Sequence, residues 1–317
     1  MKYDKQTISK SSVLYQARYC AQEDISIALC KKKKIKILDH PISFKNFERR
    51  KRDFFSSIID RSSKSVVSGS NLYCLFSEKK QKFSFAKFSK SSESLNFLPS
   101  VLDERSSFCV CSFMKKIFVL GGYESMESIN SCMAYDCKRN EWNYIAPMNE
   151  SRGSTACAVF HGKIVITGGW VHRRLISGKF SFDLLKSVES YCPHENKWTQ
   201  LPDMLQRKCS HGIASIGNKM YVIAYDFRNS CEVFDTVTNK FTIINSNQDM
   251  KRTFIYSPKN SAFTVGYKIH VFKIKRCMEE RTVFNFCYDV KEDAWTSESI
   301  CNVEYFDDFS RAKMFKH

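Results

Sequence analysis

The sequence predicts an all-β protein built from a repeated unit of strands. Four times an aromatic residue is followed seven positions later by another, in the pairs Tyr135 and Trp142, Tyr191 and Trp198, Phe234 and Phe241, and Tyr288 and Trp295. A short apolar strand precedes each pair, so the unit recurs about every 50 residues. A strand repeat of that length is typical of a β-propeller, in which each repeat supplies one blade.

The seven-residue spacing predicts a hairpin with one aromatic residue on each arm. An Asn or Asp stands two positions before each second aromatic residue: Asn140, Asn196, Asn239 and Asp293. These short polar side chains bond to the local backbone and tolerate the left-handed conformation that a tight turn requires. We therefore expect each of the four residues to form the turn of its hairpin.

Two copies of the unit end their apolar strand in a pair of glycines. They are KIFVLGGY at 116–123, with Gly121 and Gly122, and KIVITGGW at 163–170, with Gly168 and Gly169. The flanks AYDCKRNEWNYIAPM and SYCPHENKWTQLPDM complete a pattern that resembles the kelch repeat, most of all that of kelch-like proteins. In later copies, Ala224 with Tyr225 and then Lys273 with Ile274 replace the glycines. The resemblance implies a kelch-type β-propeller over residues 62–317.

The number of blades depends on the ends of the chain. Five units can be recognised between about residues 62 and 317, the first having Phe88 and Leu95 seven positions apart. Alternating apolar residues near 25–40 predict two strands that would complete a sixth blade, and the segment 304–315 resembles an opening strand. We predict six blades, as is usual for kelch-like propellers, with five as the alternative.

Residues 1–61 form a basic N-terminal segment that completes a blade in the six-blade prediction. Residues 1–65 hold 16 Lys and Arg against 7 Asp and Glu, which is over half of the net charge of +17. Clusters at 31–34 and 49–52 resemble nuclear-localisation signals, and they would attract phosphate. We favour a simpler interpretation, a solvated turn and the exposed face of a short helix at 47–59, because no nucleic-acid-binding fold accompanies them.

The composition argues against several other classes of protein. The 14 cysteines include no CxxC motif and several fall at alternating strand positions, which favours core thiols in an intracellular protein. No segment has the length and hydropathy of a signal peptide or a membrane span. The seven histidines show no metal-ligand spacing, and His161 and His211 are interpreted as turn or rim residues. We predict no catalytic residue, no cofactor and no metal.

The predicted binding site lies at the mouth of the propeller, where inter-blade loops and the loops after the Gly-Gly strands gather. Those loops carry a basic set, namely Arg105, Arg152, Arg207, Lys208 and Arg252, and the insertion after Gly169 adds His172, Arg173 and Arg174. Guanidinium groups form bidentate pairs with carboxylates, so an acidic segment of a protein partner is the predicted ligand. The alternative for Arg105 and Arg152 is that they brace adjacent blades.

The resemblance implies a protein-binding function. In kelch-like proteins the propeller captures a substrate for ubiquitination, and BTB and BACK domains precede it, neither of which is visible in the first 65 residues. We therefore expect protein binding by a cytoplasmic or nuclear monomer, with no direct cullin binding and no membrane association. An actin-associated or other scaffold protein is the first alternative, and a nucleic-acid-associated protein that uses the basic N-terminal segment is the second.

Overall fold

The computed structural model describes residues 12–14, 19–21, 24–31, 34–38, 64–69, 71–77, 83–89, 94–99, 105–175, 177–224, 230–245, 262–277 and 280–303. All the regular elements in these residues are β-strands in antiparallel sheets, so the predicted all-β class is confirmed. The chain divides into two compact units. One is Asp60–Ile244, and the other combines Met1–Ile59 with Asn245–His317.

The first four strands form one antiparallel sheet in which the third strand pairs with each of the others. They are β1 (Ser12–Leu14), β2 (Tyr19–Ala21), β3 (Asp24–Lys31) and β4 (Lys34–Leu38). The strand pair predicted near 25–40 is therefore present as the β3–β4 hairpin. That it completes a blade stays a prediction. The helix predicted at 47–59 and the strand predicted at 304–315 lie outside the described residues.

The unit Asp60–Ile244 contains four sheets of four antiparallel strands, and one of them carries an inserted hairpin. The first two sheets are β5 (Lys64–Ser68), β6 (Asn71–Ser77), β7 (Phe83–Ser89) and β8 (Ser94–Leu98), then β9 (Cys109–Phe113), β10 (Lys116–Glu124), β11 (Glu127–Asp136) and β12 (Glu141–Ile145). The third is β13 (Ala156–Phe160), β14 (Lys163–Thr167), β17 (Val188–Cys192) and β18 (Lys197–Leu201), and β15 (Trp170–Arg174) and β16 (Phe180–Leu184) form the inserted hairpin between β14 and β17. The fourth is β19 (Gly212–Ile216), β20 (Lys219–Ile223), β21 (Cys231–Asp235) and β22 (Lys240–Ile244).

The same sheet occurs once more in the second unit. It consists of β23 (Ala262–Val265), β24 (Lys268–Cys277), β25 (Glu280–Asp289) and β26 (Ala294–Val303), paired in sequence order. A four-stranded antiparallel sheet with this order is the blade of a β-propeller. The five recognised repeats thus correspond to five blade-like sheets, and the predicted total of six blades stays a prediction.

Each predicted aromatic pair is a direct cross-strand pair. Tyr191 lies opposite Trp198 with ring centroids 5.1 Å apart, and Tyr288 lies opposite Trp295 at 5.0 Å. The turn residue Asn196 has φ of 48° and accepts a hydrogen bond from the Tyr191 hydroxyl at 2.8 Å. Asn140, Asn239 and Asp293 also have positive φ, so the predicted left-handed turns are present.

Neighbouring blades in Asp60–Ile244 pack through their apolar faces. Strand β9 lies beside β5 and β13, and β13 lies beside β19, so the first strands of the four sheets are adjacent. Trp198 is buried in the core between the second and third sheets, where its indole N–H donates to the carbonyl of Ala146 at 2.8 Å. Trp142 is likewise buried and donates to the carbonyl of Pro99. These bonds join the last strand of one blade to the connection that leaves the blade before it.

Candidate functional site

The Gly-Gly pairs allow the backbone of the following inter-blade loop to approach closely. Gly121 and Gly122 have φ of 56° and 118°, and the N–H of Gly122 donates to the carbonyl of Arg152 at 2.9 Å. A side chain at Gly121 would overlap that carbonyl. Gly168 and Gly169 repeat this arrangement against the carbonyl of Lys208. The glycines therefore hold adjacent blades together and leave no space for a ligand at this point.

Three members of the predicted basic set are buried where they brace the blades. Arg105, Arg152 and Lys208 are all almost fully inaccessible to solvent. The Arg152 guanidinium donates to the carbonyls of Gly168 at 2.9 Å and Ser187 at 3.1 Å. The prediction that these three residues contact a partner is corrected here. Their charged groups form hydrogen bonds and ion pairs inside the domain. The bracing alternative describes them.

Two buried carboxylates complete these braces, and sequence reasoning did not identify them. Glu189 forms an ion pair with Arg152 at 2.6 Å and accepts the backbone N–H groups of Asn149 at 2.7 Å and Glu150 at 3.2 Å. Glu232 pairs with Lys208 one blade later and accepts two backbone N–H groups in the same way. Each carboxylate thus pairs with the buried cation of an inter-blade loop. It also accepts hydrogen bonds from the backbone N–H groups of the same loop.

The sequence does mark these carboxylates, because both occupy the same position of the repeat. Glu189 and Glu232 stand two residues before Tyr191 and Phe234, in the apolar strands VESYC and CEVFD. In the preceding repeat Met133 occupies that position, 3.6 Å from the Arg105 guanidinium. A charged residue inside an apolar strand, opposite a basic residue in the same repeat, would have indicated an internal ion pair.

His211 also differs from its predicted place on a turn or rim. It is buried, with Nε2 at 2.7 Å from the Thr167 hydroxyl. Burial, followed by the positive charges of Lys208 and Arg152, lowers the pKa of His211 to about 3. The imidazole is therefore neutral near pH 7, and it belongs to the brace. His161, by contrast, is exposed at the β13–β14 turn as predicted.

The inserted segment after Gly169 forms an ordered hairpin that packs on its neighbour. The hydroxyl of Ser128, in β11, donates to the carbonyl of Trp170 at 3.1 Å and accepts the N–H of His172 at 2.8 Å. The His172 ring stacks on Tyr123 with centroids 4.5 Å apart and contacts Phe182 edge-on at 4.5 Å. The β15–β16 hairpin is thereby attached to the β10–β11 hairpin of the preceding blade.

These two hairpins expose large apolar side chains, in the β10–β11 turn, after β15 and within β16. Met126 is 65% exposed, Phe182 53% and Leu175 47%. Arg173, the next residue of β15, is also exposed. His172 is partly buried, and desolvation lowers its pKa despite a hydrogen bond to the backbone of Met126. We call this region the hairpin surface, defined by Tyr123, Met126, His172, Arg173, Leu175 and Phe182.

Three residues of the predicted basic set remain, Arg207, Arg174 and Arg252. Arg207 is exposed and donates from Nη1 to the carbonyl of Leu184 at 2.5 Å, at the base of the inserted hairpin. Arg174 belongs to β15 by its backbone, and Arg252 lies outside the described residues. Of the predicted basic set, only Arg173 and Arg207 therefore have side chains that the structure shows at the surface.

The described residues contain neither a candidate metal site nor a membrane-spanning helix. Among them, no cluster of three or more His, Cys, Asp or Glu side chains has a geometry that could hold a metal ion. The same residues contain no helix with the length and hydropathy needed to cross a bilayer.

The repeats that form these sheets match a known sequence family. Residues 104–149 and 151–205 match the model of the Kelch motif. The matched segments contain the sheet of β9 to β12 and the sheet that carries the inserted hairpin. The chain therefore carries two Kelch motifs, in sheets that have the strand order of β-propeller blades.

The chain is also similar to curated kelch-like proteins. It is 28% identical to Kelch-like protein 26 of Danio rerio over 205 residues, 61% of this chain and 32% of the relative. It is 33% identical to Kelch-like protein 23 of Homo sapiens over 110 residues, 35% of this chain and 18% of the relative. A Kelch repeat and BTB domain-containing protein of Caenorhabditis elegans is 27% identical over 142 residues, 44% of this chain and 24% of the relative. The chain is thus similar to kelch-like proteins, and it spans about a third or less of the length of these relatives.

Proposed function

We propose that this chain is a non-enzymatic kelch domain that binds a protein partner through its hairpin surface. One observation supports the proposal above the others: Met126, Leu175 and Phe182 are exposed on two hairpins that are bonded to each other. Exposed apolar side chains grouped on a rigid support are typical of protein interaction sites. The buried braces beneath the hairpins supply that rigidity.

The relatives suggest what kind of partner is captured. They are kelch-like proteins, and one of them is named for a BTB domain in addition to its kelch repeats. We propose that the hairpin surface captures a substrate as the propellers of kelch-like ubiquitin-ligase adaptors do. Binding to actin or to another scaffold is the alternative within the same class. We further propose that the chain acts as a monomer in the cytoplasm.

The prediction of an acidic segment on the partner now rests on two exposed side chains. Arg173 lies on the hairpin surface, and Arg207 lies at the base of the inserted hairpin. Exposed guanidinium groups contribute to the rate and specificity of association more than to affinity. We therefore propose an apolar anchor on the partner that contacts Phe182, with acidic residues flanking it. Arg173→Glu should weaken such a complex and make its formation less dependent on salt.

Quantitative affinity capture with matched variants tests this proposal. Phe182→Ser removes an apolar side chain from the hairpin surface, and Val237→Ser removes a similarly exposed one, 77% exposed, from the β21–β22 turn. A specific partner should be retained by the wild type and by Val237→Ser and be lost from Phe182→Ser. Its purified form should then bind Phe182→Ser at least ~10-fold more weakly, since a central apolar anchor contributes about 1.4 kcal/mol or more.

One result would contradict the proposal, and two others would select an alternative. Unchanged binding of every partner by a Met126→Ser and Phe182→Ser double variant would show that the hairpin surface is not the site. Co-sedimentation with filaments that depends on Phe182 would favour actin. Binding to RNA or DNA that falls steeply with salt and depends on residues 1–61 would favour the nucleic-acid alternative.

A further inference from the structure

We propose that Cys109 and Cys157 are the site of a reversible disulfide bond that joins two neighbouring blades. The two Sγ atoms lie 2.7 Å apart. Cys109 belongs to β9 and Cys157 to β13, the adjacent first strands of two different sheets. A disulfide bond is about 2.0 Å long, so a small movement of the two side chains suffices to form it.

The surroundings of the pair favour this bond over other pairings. Both residues belong to the apolar core between the second and third sheets, which also contains Cys111 and Cys132. Cys132 instead directs its thiol to the carbonyl of Asn130 at 3.4 Å. The nine cysteines whose side chains the structure describes are all present as thiols. Reduced and oxidised forms of the Cys109–Cys157 pair would therefore share one fold.

The exposure of the two thiols sets the order of the reaction. Cys157 is 7% exposed and Cys109 is 0% exposed, so a small oxidant reaches Cys157 first. A peroxide oxidises the Cys157 thiol to a sulfenic acid, and the peroxide is reduced to water. The Cys109 sulfur then attacks the sulfenic sulfur, and the hydroxyl leaves as a second water with the thiol proton. In total, two thiols and one hydrogen peroxide give one disulfide and two waters.

The bond would change how the two blades separate. It links residues that are 48 positions apart in the chain, and closing a loop of that length restricts the unfolded state. It also fixes β9 to β13, the first strands of the two sheets to which the hairpins of the hairpin surface belong or attach. Oxidation is thus expected to stabilise this part of the domain without altering the pattern of strands.

Peptide mapping of the wild-type chain tests the inference directly. The purified full chain is reduced, exposed to hydrogen peroxide, blocked with N-ethylmaleimide and digested with trypsin. Cleavage after Arg105 and Arg152 places Cys109 and Cys157 in separate peptides, 106–115 and 153–163. We expect a linked species of these two peptides that is two hydrogen atoms lighter than their sum and is separated by dithiothreitol.

Variants then assign the sulfur atoms, because peptide 106–115 also contains Cys111. Cys111→Ala should retain the link, and Cys109→Ala and Cys157→Ala should abolish it. The oxidised wild type should melt ~5 °C or more above its reduced form, a difference that Cys157→Ala does not show. The peptide map and the melting temperature are independent measurements. A variant that melts early because it folds poorly therefore does not decide the result.

Three outcomes would overturn the inference. The first is recovery of both peptides with N-ethylmaleimide on every cysteine after peroxide has oxidised other thiols of the chain. The second is a disulfide confined to Cys109 and Cys111 within one peptide. The third is a link from Cys157 to any other cysteine in the folded chain.

Discussion

Arg152 and Glu189 form an ion pair of 2.6 Å in which both side chains are fully buried. The pair joins the loop before the third blade to a strand of that blade, and the same carboxylate accepts two backbone N–H groups of the loop. Arg152 also contacts the carboxylate of Glu150 at 3.2 Å, whereas the cation that pairs with Glu189 is Arg152. The loop conformation therefore depends on both residues.

Removal of one partner should be strongly destabilising. Arg152→Ala leaves Glu189 buried without its cation, which typically costs about 3–5 kcal/mol. Urea denaturation should show a loss of that size in the free energy of unfolding. The control is Arg139→Ala, which breaks the exposed pair of Arg139 and Glu141 and should change stability by no more than ~0.5 kcal/mol. Equal effects of the two variants would contradict the brace.

Gly121→Ala should also destabilise the domain, and by more than the same change at Gly162. Both glycines have positive φ, 56° and 69°, so alanine costs roughly 1–2 kcal/mol of backbone strain at either position. At Gly121 the new methyl group also overlaps the carbonyl of Arg152, whereas at Gly162 nothing lies within 4 Å. Thermal and urea unfolding should rank the two variants in that order. If Gly121→Ala lost less stability than Gly162→Ala, the backbone of Arg152 would not approach Gly121 as closely as described.

The tryptophans should differ in their contribution to stability. Trp142 and Trp198 are buried, so replacing either with alanine should cost about 3–5 kcal/mol. Trp295 occupies the same repeat position and bonds to the carbonyl of Asn245 at 2.8 Å, yet it is only partly buried. Trp295→Ala should therefore cost clearly less. Equilibrium unfolding measures all three, and equal losses would contradict the difference in burial.

The sequence predicted the hairpins well because their signal is local. A tight turn fixes which residues lie opposite each other, so the spacing of Tyr191 and Trp198 determined their register. The left-handed turn at Asn196 followed from its residue type. The same local pattern located the strands from Phe88 to Trp295.

The candidate site was harder to predict because it depends on contacts between blades. The repeat register placed Arg152 in an inter-blade loop, but it did not determine whether the side chain faced the solvent or Glu189. The insertion after Gly169 was recognised as a candidate for partner contact. Its hairpin and its exposed Phe182 were missed, because Ser128 in the preceding blade holds the segment in place. Residues far apart in the sequence decide both features.

The loss of the Gly-Gly pair in later copies also has a physical consequence that the sequence only suggested. Where Lys273 and Ile274 replace the glycines, β24 pairs with β25 without interruption from Lys268 to Cys277. In β10 the pairing shifts between Leu120 and Gly122. The left-handed glycines thus accompany a shift in the register of the β10–β11 pair, and the β24–β25 pair, which lacks them, keeps one register.

The stability of the domain should decrease as the pH falls below neutrality, in part through His211. Its pKa is about 3 in the folded chain, against about 6.5 for an ordinary histidine, so the unfolded chain binds more protons between these values. The stability that neutral His211 contributes is complete above about pH 6.5 and is lost as the pH falls toward 3. Between pH 7.5 and pH 5 the loss should amount to roughly 2 kcal/mol.

Comparison with His211→Gln isolates this contribution from that of the carboxylates, whose titration both proteins share. Asp136 and Asp289, for example, have pKa values lowered by hydrogen bonds from the backbone, so they also lose stabilising interactions in acid. The difference in unfolding free energy between wild type and His211→Gln, measured in urea, should shrink as the pH is lowered. His194→Gln, a change at an exposed histidine, is the matched control substitution. A wild-type advantage over His211→Gln that does not vary with pH would show that His211 is accessible to protons in the folded domain.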